Sequence, residues 1–227
     1  MTILLSKRLQ QVASFVPQGA RLLDVGSDHA YLPVALIVAG QIETAVAGEV
    51  VAGPYQSAVD TVGSAGLEDR IIVRLADGLA AMKPSDRIDT ITICGMGGRL
   101  IAEILDKGRA ELSTVRRLVL QPNNREDDLR RWLTAHGYAI VAEDILEENG
   151  KRYEIIVAEA GQQELSELDI RFGPFLRQDQ SPIFLQKWQQ ECAKLEEALA
   201  GIPIQHEETR SAISQKIQAI KEVLHES

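Results

Sequence analysis

Residues 21–33, RLLDVGSDHAYLP, decide how the rest of the chain is read. Arg21 to Val25 is a short, mostly apolar run ending at Gly26, a residue without the Cβ that would hinder a tight exit from a strand. From Leu32 to Ala39 every residue is apolar, the composition of a buried helix. Strand, turn and helix in such close succession form the opening of a parallel βαβ unit.

The same rhythm repeats downstream. Glu43 to Glu49 precedes a helical stretch from Tyr55 to Ser64, and Arg70 to Leu75 is a further strand. Ile88 to Cys94 is followed by a helix over Arg99 to Lys107, and Arg117 to Gln121 by one over Glu126 to His136. Upstream, Leu5, Leu9, Val12, Ala13 and Val16 mark one face of an amphipathic opening helix. The alternation then breaks: Tyr138 to Ile145 and Arg152 to Ala158 are strands joined by Glu147-Glu148-Asn149-Gly150, where Asn-Gly signals a hairpin. The pattern predicts an α/β fold, a Rossmann-like, mostly parallel sheet with helices on both faces and an antiparallel last strand.

Beyond Gly161 no strand signal remains. Trp188, Cys192, Leu195 and Leu199 recur at helical spacing, as do Ile213, Ile217, Ile220 and Leu224, with Gly201 and Pro203 between the sets. The chain therefore divides into residues 1–161, a ligand-binding sheet domain, and 162–227, a helical hairpin of coiled-coil type. Seams this short need a partner surface, either the first domain or another chain.

Composition narrows the function. The 227 residues carry 33 acidic and 24 basic side chains, a net charge of −9, which argues against gripping nucleic acid with the whole surface. Basic residues concentrate in two places: Lys7, Arg8 and Arg21 lie in a stretch without acids, and residues 97–131 hold eight basic against six acidic side chains. Two cysteines and four histidines cannot supply a disulfide framework or a dense metal cluster, so no metal is expected. The longest apolar runs are about half of the ~20 residues that span a bilayer, and the start MTILLSKRL lacks a secretory apolar region. A cytoplasmic protein without membrane contact is expected.

In open parallel sheets, ligands bind beyond the carboxyl ends of the strands, and the unusual residues of this chain fall there. The first loop carries Asp24, Gly26, Ser27, Asp28 and His29 ahead of a helix N-terminus. A dinucleotide fingerprint would place glycine where Asp28 stands, and a pyrophosphate would be repelled there; a cationic ligand such as a sulfonium suits the carboxylate. Glu49, about 20 residues further on, stands where an acid binds ribose hydroxyls in nucleotide-binding sheets. Asp77-Gly78 ends the third strand, either as an acceptor for an adenine amine or as a plain turn. Gly95-Met96-Gly97-Gly98 exposes backbone against which a ligand can lie. Gln121-Pro122-Asn123-Asn124 presents three amides, donor–acceptor groups that match a base edge, although Asn124 can equally cap the helix that follows. Cys94 reads as a small buried residue, since no histidine near it in the chain would activate a thiolate.

Taken together, LSKRLQQVASFVP, LLDVGSDHAYLP, GEVVAGPYQSA, LADGLAA, TICGMGG, LQPNN and FGPFL resemble the bacterial tRNA (adenine-22-N1)-methyltransferase family. The resemblance spans nearly the whole chain, and GSDHAYLP, GMGG and QPNN are its most specific pieces. It implies a class I methyltransferase that binds S-adenosyl-L-methionine and methylates N1 of an adenine in the D-loop region of tRNA. By that resemblance Asp24, Gly26, Ser27, Asp28 and His29 form the cofactor loop, Glu49 holds the ribose, Asp77 and Gly78 flank the adenine, and Gly95, Met96 and Gly97 line the methionine side. Gln121, Pro122, Asn123, Asn124 and Arg125 would face the target base, with Tyr31 the candidate for stacking on it. Asp28, His29 and Asn123 are the catalytic candidates: adenine N1 already carries a lone pair, so stabilising the cationic product matters more than a strong base. Lys7, Arg8 and the group Arg116, Arg117, Arg125, Arg130 and Arg131 are candidates for phosphate contact. The hairpin serves either tRNA contact or dimerisation, and a monomer or weak homodimer is expected. A methyltransferase of another RNA or of a small molecule, and a cofactor-binding protein without turnover, share the cofactor motifs and stay open.

Overall fold

The computed structural model describes residues 3–225; Met1 and Thr2, at the start of the stretch read for a leader, and Glu226 and Ser227 lie outside the described residues. A helix α1 (Lys7–Ser14) is followed by β1 (Arg21–Val25), α2 (Tyr31–Val38), β2 (Thr44–Glu49), α3 (Ala52–Ala65) and β3 (Ile71–Leu75). Then come β4 (Thr90–Met96), α4 (Gly98–Lys107), β5 (Arg117–Pro122) and α5 (Glu126–Ala135), and the hairpin β6 (Tyr138–Glu148) and β7 (Lys151–Ala160). The rest is helical: α6 (Glu167–Phe172), α7 (Pro174–Asp179), α8 (Pro182–Gly201) and α9 (Glu207–His225).

The seven strands form one sheet in the order β3-β2-β1-β4-β5-β7-β6. All neighbours are parallel except β7, which runs antiparallel to both β5 and β6. Strand order therefore reverses between β1 and β4, and the crevice at their carboxyl ends is where such sheets bind ligands. Successive residues face opposite layers. Leu23, Ile91, Leu118 and Leu120 pack with Ile101, Leu105, Leu129 and Leu133 on one side, while Leu22, Ala45, Val119 and Val157 pack with Val12, Val34, Leu36 and Ile37 on the other.

Local chemistry sets the boundaries. Ser6 accepts from the Leu9 N–H at 3.3 Å to cap α1, and Ser181 caps α8 just ahead of Pro182. Asn149 and Gly150 both take positive φ, 51° and 72°, as a two-residue hairpin turn requires, so the Asn-Gly signal marks the turn correctly. Two strands end later than the apolar pattern indicates: β4, expected over Ile88 to Cys94, is shifted to Thr90–Met96, and β5 continues through Pro122, with a register irregularity between Cys94 and Met96. That extension carries the glycine and amide loops to the rim of the sheet. Helices α6 and α7, six residues each, are too short to register as periodicity.

The helical segment docks on the sheet domain. Trp188, Cys192, Ile217 and Ile220 of the two expected seams share a core with Phe184 and Val223, and Ile145 of β6 and Phe172 and Leu176 of α6 and α7 complete it. Beside this core lies a lattice of buried charge. Arg130, fully buried in α5, donates from Nε to Glu143 at 2.7 Å, from Nη2 to Glu154 at 2.6 Å and from Nη1 to the Ile170 carbonyl at 3.3 Å. Lys187 of α8 donates to the other oxygen of Glu154 at 2.6 Å and to Glu126 at 3.1 Å. Burial by itself would raise the Glu154 carboxyl, but the Lys187 and Arg130 charges outweigh it and hold that group below its ordinary range.

This lattice corrects the basic group read as phosphate contacts. Arg130 has no path to solvent, Arg117 is held by Glu159 and the Phe15 carbonyl, and Arg131 pairs with Glu167, leaving Arg116 and Arg125 as its exposed members without an ion pair among the described residues. Charge spacing along a sequence does not reveal which cations already have carboxylate partners across the fold.

Candidate active site

The loop after β1 is strained where it meets the ligand crevice. Gly26, Asp28 and Ala30 all have positive φ, 66°, 57° and 55°, and for Asp and Ala this conformation is costly and kept only where the surroundings impose it. The surroundings are identifiable. Gly26 and Ser27 donate their N–H groups to the Gly48 carbonyl at 2.9 and 3.3 Å, and the Asp28 N–H donates to Oε1 of Glu49. Asp24, nearly fully buried, accepts from Ser27 Oγ at 2.5 Å and from Thr92 Oγ1 at 2.6 Å. Burial pushes the Asp24 carboxyl up to about 6, against the lowering effect of the two hydroxyls. Glu49 is likewise raised, by burial first, although the Asp28 N–H pulls it the other way. Its Oε2 makes no hydrogen bond among the described residues.

This loop borders a cavity of about 340 Å³ lined by Arg8, Leu9, Asp24, Gly26, Ser27, Asp28, His29, Tyr31, Leu32, Cys94, Gly95 and Met96. The fold thus gathers the expected first-loop residues, Tyr31 and the first half of the glycine loop in one place. The Asp28 carboxylate is 73% exposed, with Oδ1 3.7 Å from His29 Nε2, and the His29 ring stacks on Tyr31 at 5.0 Å. At Gly26 an added Cβ would stand 2.3 Å from the Met96 methyl, the movable end of a flexible side chain, so it is the positive φ of 66° that calls for glycine here. Burial moves the Cys94 thiol far above its ordinary range, in keeping with a packing role rather than a nucleophile.

The amide loop is bolted to the glycine loop. Asn123 donates from its backbone to the Met96 carbonyl at 2.7 Å and from Nδ2 to the Gly95 carbonyl at 2.7 Å. Gly98 donates to the Asn124 carbonyl at 2.8 Å, and a Cβ on Gly98 would lie 2.2 Å from the Arg125 carbonyl oxygen. Asn123, Asn124 and Arg125 are exposed, whereas Gln121 and Pro122 are buried. Two expectations change here. Gln121 does not present its amide outward: Oε1 accepts from Arg8 and from the Gly95 N–H at 3.0 Å, and Nε2 donates to the Pro122 carbonyl at 2.8 Å and to Asn123 Oδ1 at 3.2 Å. Asn124 does not cap α5, whose N-cap is Arg125 in a left-handed conformation with no side-chain cap.

Arg8 is a further correction: its guanidinium faces Gln121 and the Tyr153 ring, 5.4 Å to the centroid, instead of open solvent. Lys7 keeps an exposed side chain, and its N–H donates to Glu148 at 2.7 Å. Asp77 and Gly78 line a separate cavity of about 210 Å³ with Leu79, Ile104 and Lys107, with Lys107 Nζ 3.9 Å from the Asp77 carboxylate. Among the described residues no cluster of acids, histidines and cysteines is placed to hold a metal, and no helix is long and apolar enough to cross a membrane.

A family model described as tRNA (adenine(22)-N(1))-methyltransferase matches residues 22–222. The chain belongs to that family. A tRNA (adenine(22)-N(1))-methyltransferase of Bacillus subtilis strain 168 is 41% identical to it over 97% of both chains. Among solved structures, Streptococcus pneumoniae Sp1610 in complex with S-adenosyl-L-methionine is 63% identical over 98% of this chain and 100% of its own, with a TM-score of 0.93. The Mycoplasma capricolum protein TrmK in complex with S-adenosyl-homocysteine is 28% identical over 97% of each chain, with a TM-score of 0.88. The tRNA (adenine(22)-N(1))-methyltransferase resemblance read from the motifs, and the Rossmann-like sheet it implied, are both upheld.

Leu9, Leu32 and Thr92 lie within the motifs quoted above but are given no site role there. The role of Thr92 comes from the β1–β4 register that sets it opposite Asp24.

Proposed function

We propose that this chain transfers a methyl group from S-adenosyl-L-methionine to N1 of an adenine of tRNA, at position 22, in the cavity at the carboxyl ends of β1 and β4. The observation that carries this reading is the meeting of three loops: the strained loop of residues 26–30 shares a cavity with Gly95 and Met96, and the glycine loop is joined to the exposed amides of Asn123 and Asn124 by the Asn123–Gly95 and Gly98–Asn124 hydrogen bonds.

The residues present fit S-adenosylmethionine. Gly26 and Gly95 line the cavity without side-chain bulk of their own, Glu49 keeps an oxygen open for a ribose hydroxyl, and Asp28 offers a carboxylate to a sulfonium. Bound there, the cofactor supplies an electrophilic methyl group. Asp24 holds the loop through Ser27 and Thr92, and Glu49 fixes the Asp28 backbone. Asp77 and Gly78 serve the adenine end of the cofactor, and Met96 and Gly97 the methionine end. Asp28 then faces the positive charge that develops on the methylated base, with His29 orienting it and Asn123 holding the base edge. Tyr31, already stacked with His29, offers its exposed ring to the flipped adenine, whose N1 must be unpaired to react. Pro122 stiffens that loop, and Asn124, Arg125 and Lys7 meet the surrounding RNA.

Residues 1–161 are the catalytic unit and 162–227 a helical unit docked on it. A monomer or weak homodimer is the proposed working form, and the cytoplasm, where tRNA is modified, its proposed location. The test is transfer of labelled methyl to bulk tRNA from cells lacking this protein, followed by nucleoside analysis. A rise in N1-methyladenosine is expected; cofactor binding without tRNA methylation would overturn the substrate assignment.

A further inference from the structure

Helix α1 reaches the target-base loop through one side chain. Its N-terminus is pinned by Glu148 of β6, which accepts from the N–H groups of Lys7 at 2.7 Å and Arg8 at 3.4 Å, while the Arg8 guanidinium lies over Tyr153. Arg8 thereby has its backbone and its side-chain plane both fixed, and Nη1 is directed at Oε1 of the buried Gln121.

The direction of hydrogen bonding then follows from chemistry. A guanidinium has donors only, as does the Gly95 N–H, so the Gln121 atom between them must be the oxygen. The Gln121 NH₂ is forced to the opposite side, where it donates to the Pro122 carbonyl and to Asn123. The Asn123 atom facing it must be Oδ1, which turns Nδ2 toward the Gly95 carbonyl, an obligate acceptor. The amide at the rim is thus held at both ends, and neither amide can flip without setting two donors or two acceptors against each other.

We infer that Arg8 is a positioning residue: through Gln121 it fixes the orientation and polarity of the Asn123 amide that faces the target base, instead of binding phosphate. The inference rests on the proposed role of Asn123 at the base edge. It also explains why a cation lines a cavity suited to a cationic cofactor, since its charge is directed into the protein.

The test combines kinetics with a readout that needs no turnover. Arg8→Met and Asn123→Ala are each expected to lower kcat at saturating tRNA by on the order of tenfold or more, with little change in the KM for S-adenosylmethionine. The double variant should be no slower than Asn123→Ala alone, because Arg8 acts through that amide. In ¹⁵N-labelled protein the Asn123 side-chain NH₂ resonances should move on Arg8→Met, although Arg8 does not bond to Asn123. Gln121→Glu, which still accepts from Arg8 but cannot donate to Asn123, should move the same resonances and also lower kcat. Multiplicative losses in the double variant, or Asn123 resonances unmoved in a folded Arg8→Met protein, would overturn the inference. So would a defect confined to the KM for tRNA that vanishes at low salt, the signature of a phosphate contact. Absence of tRNA methylation by the unaltered protein would instead sink the proposed function, while the resonance shifts would still decide the relay.

Discussion

Two groups of charged residues meet opposite fates in this molecule. In the loop after β1, Asp28 and His29 stay open to solvent, 3.7 Å from each other, while the loop is held by the Gly26 and Ser27 N–H groups on the Gly48 carbonyl and by the Asp28 N–H on the Glu49 carboxylate. Around α5, the Arg130, Glu143 and Glu154 side chains are buried and pair with one another, and the part-buried Lys187 adds to Glu154, joining the sheet to the C-terminal helices. Charge left exposed at a strained turn is available to a ligand, whereas charge paired in the interior is structural, and removing one partner there strands the others.

The largest expected effect tests the interior side. Arg130→Met leaves Glu143 and Glu154 without their shared cation, and denaturation should register a loss of about 3–5 kcal/mol. A loss near zero would mean the lattice is not the join between the two units. The next test concerns Asp24, one of the two buried carboxyls at the site. Because the folded Asp24 carboxyl titrates near 6 and the ordinary value is 3.8, the folded state holds the extra proton. Its stability contribution is therefore fully present below about pH 4 and is lost as pH rises through 6, a difference of about 3 kcal/mol. Asp24→Asn should flatten that decline in a melting series across pH 4 to 7, and an unchanged slope would assign it to other groups.

On the ligand side, Asp28→Asn should cost kcat on the order of a hundredfold while cofactor affinity falls much less. Equal losses would place Asp28 in cofactor binding alone. The smallest effect is expected one residue from the largest: Arg131 pairs with Glu167 at the surface, so Arg131→Met should leave the melting transition where it was. A shift comparable to that of Arg130→Met would erase the distinction between the two regions.

Much of this was legible without coordinates because periodicity and turn chemistry are local. The alternation of Leu22 and Leu23, the apolar helix 32–39, Asn149-Gly150 and the two helical seams each express a constraint acting within a few residues. The loop motifs at the strand ends were readable for the same reason, since strained or closely packed backbone restricts which residues are tolerated, as at Gly26 and Gly98.

Tertiary structure alone decided which polar groups remain free. Gln121 and Asn123 sit two residues apart with equivalent amides, yet one is buried against Arg8 and the other exposed at the rim. Arg130 and Arg131 are neighbours in the chain, yet only one lies in the lattice. Sequence determines what a side chain can donate or accept. Whether that capacity is spent inside the protein or left for a ligand depends on partners more than a hundred residues away, as with Arg8 and Gln121, and on the burial that makes an unmet hydrogen bond costly.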